Sequence, residues 1–338
     1  MQVSATIDLA EADDIREGHA RAFRIAFAAA VGLTLGEVLG WDFPFLPAML
    51  AVQLLAGPGP LGAKQGLAFV AVMTAACAFA VLVAQVFVDG PLLLLLTVSL
   101  VTFLAFLSLA RGVAEGLAAT FLITTAVVPL LATESMSIAY GFIYSLIAGS
   151  ALAVLLAFAA HAFFPSRGQP QPVAAIAQED PVALALANTA VLMSLVLYFM
   201  LTVSPASIVV VLTLISILRQ PADLGGGTAF GLFLGNLIGG LGATAAYLLV
   251  TLLPSPAFLL LVVLLFGLIF GDRIARGREM GPVYTVALMT FLILLGLGLS
   301  PLPEDSGSMS IARVLDVMVA GVYAIGMSSL LRSAFRVR

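Results

Sequence analysis

Residues 110–120 read Ala-Arg-Gly-Val-Ala-Glu-Gly-Leu-Ala-Ala-Thr, and residues 275–285 read Ala-Arg-Gly-Arg-Glu-Met-Gly-Pro-Val-Tyr-Thr. Ala-Arg-Gly, a second glycine and a threonine recur at identical spacing, and in each copy they form a short break between two long apolar runs. A run of about 20 apolar residues, rising 1.5 Å per residue as a helix, is what crosses ~30 Å of hydrocarbon. The two breaks therefore imply a membrane bundle, and their likeness implies that it is built twice. Two further marks recur in the same order. Leu61-Gly62 returns as Leu224-Gly225, each beside a proline-containing turn, and Met136 to Ala139 returns as Met309 to Ala312.

Composition agrees with a bilayer as the main solvent. Of 338 residues 62% are hydrophobic and 9% charged, with a mean hydropathy of +1.17, whereas soluble domains carry about 25% charged residues. Apolar segments lie at about 20–39, 43–58, 65–88, 91–110, 116–132 and 137–164, then at 182–202, 205–219, 225–253, 256–271, 281–300 and 309–331. This predicts an all-α integral membrane protein of about twelve transmembrane helices in two parallel six-helix repeats. An even number of spans per repeat sets the pseudo-two-fold axis along the membrane normal. The expected divisions are an acidic, partly helical N-terminal arm (1–19), a first repeat (20–165), a Pro/Gln-rich linker (166–180) and a second repeat (181–338). The arm carries Asp8, Glu11, Asp13, Asp14 and Glu17, where a signal peptide would be basic, so the first helix is expected to be retained.

The positive-inside rule tests the count. With both termini cytoplasmic, Arg16, Arg21, Arg24, Lys64, Arg111, Arg167, Arg219, Arg273, Arg276, Arg278, Arg332, Arg336 and Arg338 all lie inside. That is 13 of the 14 basic residues, and the exception is Arg313. Arg313 and Asp316 stand three residues apart, on one face at the head of the last span. Intramembrane charges are costly and usually face the bundle interior. The pair is therefore either an anion contact beside a protonatable carboxylate, or an arginine snorkelling outward with a structural partner.

Segments two and eight are short and bounded by proline; broken spans at matching positions either mark a transporter's binding site or are tilted helices with trimmed ends. Around the first of them, Trp41, Phe43 and Phe45 either stack on an aromatic substrate or form an interfacial belt. Arg111 and Arg276, with Glu115 and Glu279 close by, are candidates for gathering anions at the cytoplasmic mouth, and Arg24 for reaching the inner vestibule. The alternative for Arg111 and Arg276 is topology and helix-end pairing, and for Arg24 it is snorkelling to the surface. Gln53, Gln85, Asn188 and Asn236 are polar positions that tie helices together or touch ligand, while Gly231, Gly235 and Gly239 mark close helix packing.

Several classes are excluded or unsupported. One cysteine and two histidines leave no disulfide framework and no metal or other cofactor site. No basic tract suits nucleic acid. The turn Gly57 to Lys64 lacks the Gly-Lys-Ser/Thr order of a phosphate loop, and no enzyme motif stands out.

The basic helix start Arg21-Ala-Phe-Arg24, the turn Trp41-Asp-Phe-Pro-Phe-Leu-Pro47, the Gly/Pro turn at 57–62 and the Arg313-x-x-Asp316 start, together with the six-plus-six pattern, resemble the fusaric-acid-resistance-like, aromatic-acid-exporter superfamily. The resemblance spans about residues 20–335 and is nearest to compact branches without the large soluble domain. It implies an inner-membrane efflux protein for small aromatic or other organic anions in a Gram-negative bacterium. It also implies a periplasmic membrane-fusion adaptor as partner, and homo-oligomers are compatible with it. An anion channel and a non-transporting assembly or lipid-handling protein remain the alternatives.

Overall fold

The computed structural model describes residues 2–56, 59–87, 90–113, 115–165, 180–202, 207–218, 226–276, 280–299 and 323, with side chains from Arg16 onward except at 115, 207–209, 213, 216–217, 226–230 and 232. Among these the chain is helical throughout, without a strand. Helices run α1 Gln2–Val38, α2 Phe45–Leu55, α3 Ala63–Phe87, α4 Pro91–Ala110, α5 Glu115–Glu134 and α6 Met136–Phe163. They continue with α7 Pro181–Thr202, α8 Ser207–Leu218, α9 Gly226–Leu252, α10 Pro256–Arg276 and α11 Gly281–Leu299. Eight helices among the described residues are long and apolar enough to cross a membrane, so this is a multi-pass helical membrane protein. Residues 166–179 of the linker and all of the last apolar segment except Tyr323, thus including Arg313 and Asp316, lie outside the described residues. α1 runs unbroken from Gln2 through the acidic arm into the first apolar segment.

Prolines and glycines place the ends. Pro91 stands at the first position of α4, where its missing N–H is no loss. Gly112, at φ 64°, turns the chain after α4 in a conformation that other residues seldom adopt. The repeated Gly and Thr form the same local bond in both places. Thr120 donates to the Gly116 carbonyl (2.8 Å) in α5, and Thr285 to the Gly281 carbonyl (2.9 Å) in α11.

The helices sort into an inner set and a rim. The apolar windows of α5 and α11 are 78% and 72% buried, against 33%, 28% and 33% for α3, α4 and α10, whose remaining side chains face outward. α2 is innermost, with every residue buried except Gln53 and Leu54. Its 11 residues rise only ~16 Å, too little to cross; its first residues are buried in protein, whereas Ala56 at its far end is exposed.

Contacts between the first six helices and the following five come in corresponding pairs. α1 packs on α10, and α7 on α4. α2 packs on α11, and α8 on α5. α1 also meets α11, as α7 meets α5. Adding six to the number of one helix and taking six from that of the other turns one member of a pair into the other. Within each set the pattern repeats, with α3 on α5 and α9 on α11, then α4 on α5 and α10 on α11. The two sets interlock, each lending its first helix to the other's fourth.

Candidate functional site

The start of α2 is built to be buried. A helix begins with four unpaired N–H groups, but Pro44 and Pro47 carry none, and Leu46 N–H reaches the Phe43 carbonyl at 3.2 Å. Glycines on three neighbours make room for it. A Cβ on Gly32 of α1 would lie 2.8 Å from the Ala48 Cα, and one on Gly296 of α11 2.6 Å from the Phe45 Cβ. Gly36 of α1 faces Pro44 and Gly149 of α6 faces Pro47 in the same way. Phe43 and Phe45 are 0% exposed. They meet edge to face at 6.3 Å, and Phe43 meets Phe142 of α6 at 5.0 Å. In this conformation both rings are spent on protein. Gln53 is half-buried, the one polar side chain of α2.

Following the helices back and forth brings Arg21, Arg24, Lys64, Arg111, Arg273 and Arg276 to one end of the bundle. Arg24 is buried there. Its Nη2 lies 2.7 Å from Glu17 Oε1, and its Nη1 donates to the Phe164 carbonyl at 2.9 Å. Phe164 caps the C-terminus of α6, where the helix dipole favours a cation, and Phe23 stacks on its ring at 5.5 Å. Arg21 makes a longer contact, 3.5 Å, to the Ala56 carbonyl that ends α2. Asn188 of α7 does the same for the other short helix, donating to the Leu218 carbonyl of α8 at 3.3 Å. In each set a side chain of the first helix holds the end of the second.

Gly271 of α10 sits 3.0 Å, by its added Cβ, from the Ala22 carbonyl, and Gly267 from Ala26 likewise. The two helices are thus antiparallel, and the last turn of α10 lies beside the Arg21–Arg24 turn. Arg276 is exposed and pairs with Asp272 at 2.6 Å; Glu279 lies outside the described residues. Arg273 lies over the Tyr284 ring at 5.9 Å. Arg111 is exposed where α4 ends. The structure therefore gathers the cations at one end but commits Arg24 to internal acceptors, leaving Arg111 and Arg276 toward solvent.

At the opposite end Trp41 packs edge-on against Tyr144 at 6.1 Å, and a carboxylate oxygen of Asp42 fills the space that a Cβ on Gly141 would need. Gly141, Ser145 and Gly149 form a small-residue stripe on α6 facing this turn. Its four-residue spacing, the small-xxx-small signal of close helix packing, is visible in the sequence. Deep between α9 and α11, Thr290 donates to Asn236 Oδ1 at 2.6 Å, beside Gly235 and Gly239, whose added Cβ atoms would strike the Val283 and Ala287 carbonyls. No cluster of three His, Cys, Asp or Glu suits a metal among the described residues.

Residues 21–160 match a family described as a protein of unknown function, DUF2955. The match opens at Arg21 and closes four residues before Phe164, so DUF2955 covers the membrane part of α1 through nearly all of α6. It includes Phe43, Phe45 and two of the three arginines of α1, Arg21 and Arg24. No curated protein matches the chain, and no solved structure does.

Proposed function

We infer that the chain is a secondary exporter of aromatic or other amphipathic organic anions in a bacterial inner membrane, driven by the proton gradient. The observation that carries this reading is the paired, interlocked packing of the two helix sets around the short α2 and α8. Two six-helix units in parallel, with both termini cytoplasmic and a twelfth helix over 309–331, account for that pairing, and transporters of such build place their sites where broken helices meet. DUF2955 is grouped with the fusaric-acid-resistance-like, aromatic-acid-exporter families, which supports the substrate class and the periplasmic adaptor as partner. Substrate passes the cationic mouth at Arg111 and Arg276, moves along the Gln53 flank of α2, and meets Arg313 near the exit. Asp316 is the titrating group.

The test is efflux of a panel of aromatic acids from vesicles with an imposed proton gradient. Arg313→Ala should abolish transport at normal membrane levels, and Asp316→Asn should uncouple it from the gradient. Current without proton coupling would make the protein a channel, and unaltered accumulation on deletion would sink the transport reading.

A further inference from the structure

Between α3 and α6 a groove of about 410 Å³ opens sideways, lined by Thr74, Cys77, Ala78, Leu82, Gln85 and Ile143 among others. On α3 it extends from Thr74 to Val86, ~18 Å at the helical rise. Its body is apolar, because the Thr74 hydroxyl is spent on the Val70 carbonyl at 2.9 Å and Cys77 is buried. Its polar groups gather at one end. There Gln85 Nε2 donates to the Tyr140 hydroxyl at 3.0 Å, which leaves the Tyr140 O–H proton and the Gln85 carbonyl oxygen to bond elsewhere.

The depth of that end is fixed by its neighbours. Tyr140 stands one turn before Tyr144, which packs on Trp41, and Trp and Tyr collect at the level of lipid headgroups. The groove thus runs from the hydrocarbon to the interface, apolar along its length and hydrogen-bonding at its mouth. Neither its lining nor the Gln85–Tyr140 pair carries a charge. A free carboxylate at that depth would lack a cation and suffer desolvation, whereas an ester carbonyl needs only a donor. We propose that this groove is a binding site for one acyl chain of a bilayer phospholipid, whose ester carbonyl accepts from the Tyr140 hydroxyl. The site lies on the rim, apart from α2 and the cationic mouth, and does not depend on what the protein transports.

The full chain in nanodiscs doped with phosphatidylcholine bearing a mid-chain diazirine tests this, with photoadducts mapped by mass spectrometry. Adducts should concentrate on Thr74–Val86 and Ile143–Ile147 over the equally lipid-facing Leu261–Ile269 stretch of α10. Tyr140→Phe should cut groove labelling about fivefold, one hydrogen bond's worth, and leave α10 labelling unchanged. Ala78→Phe, an exposed position that fills the groove, should abolish the preference. Even labelling of α3 and α10 would overturn the site. Stronger labelling by diazirine palmitic acid, or indifference to Tyr140→Phe, would overturn the ester assignment.

Discussion

Arg24 separates two roles that an arginine at a membrane boundary can have. An anion contact would leave its guanidinium open, whereas here Glu17 and the end of α6 occupy it. Arg24→Ala is expected to lower stability by about 1.5–3 kcal/mol, the range for hydrogen bonds to a charged group, read as earlier thermal unfolding in detergent. Glu17→Gln should cost less, since Glu17 is 27% exposed. A variant that unfolds normally but loses affinity for aromatic acids would return Arg24 to the binding site. That arginines cluster at one end was legible from their spacing. What each holds was not, because a backbone carbonyl such as that of Phe164 leaves no mark in the sequence.

Among elements, the glycines of α9 carry the sharpest expectation. In lipid no hydrophobic force drives helices together, so close backbone approach and packing must supply the affinity. Gly239→Leu would push α9 off α11 and cost about 1–3 kcal/mol of overpacking, seen as loss of monodisperse protein on gel filtration. Gly116, a repeat mark of the same residue type, has open space around its added Cβ. Gly116→Ala should therefore be neutral or raise stability by about 0.5–1 kcal/mol. If both variants behaved alike, the α9–α11 approach would be wrong. The contrast explains what reading the chain reached. Helix ends were legible because Pro and Gly interrupt apolar runs at places such as Pro91 and Gly112, and Gly231, Gly235 and Gly239 announced close packing by their spacing. The partner was not legible, since the Leu, Val and Ala of α11 resemble those of every other helix. Phe43 and Phe45 left substrate stacking and an interfacial belt both open for the same reason, as nothing local tells either from a core contact.

For the whole molecule, the interlocking of the two sets makes a covalent test possible. With Cys77→Ala as background, cysteines at Ala26 and Gly267 should bridge α1 to α10 on mild oxidation. An ideal Cβ on Gly267 lies 3.2 Å from the Ala26 Cβ, so the helices need to part by only a few tenths of an ångström to reach the ~3.5–4.5 Å of a disulfide. The bridge should hold the two fragments together after a protease site placed in 166–180 is cut. Separation under oxidising conditions would refute the α1–α10 pairing. That pairing also has a consequence for biosynthesis. Arg24 waits for the Phe164 carbonyl, 140 residues later, roughly 7–30 s at about 5–20 residues per second, and α1 then waits again for α10. The earliest helix to reach the bilayer is thus among the last to be finished, and its arginines must stay at the water boundary while the rest of the bundle arrives.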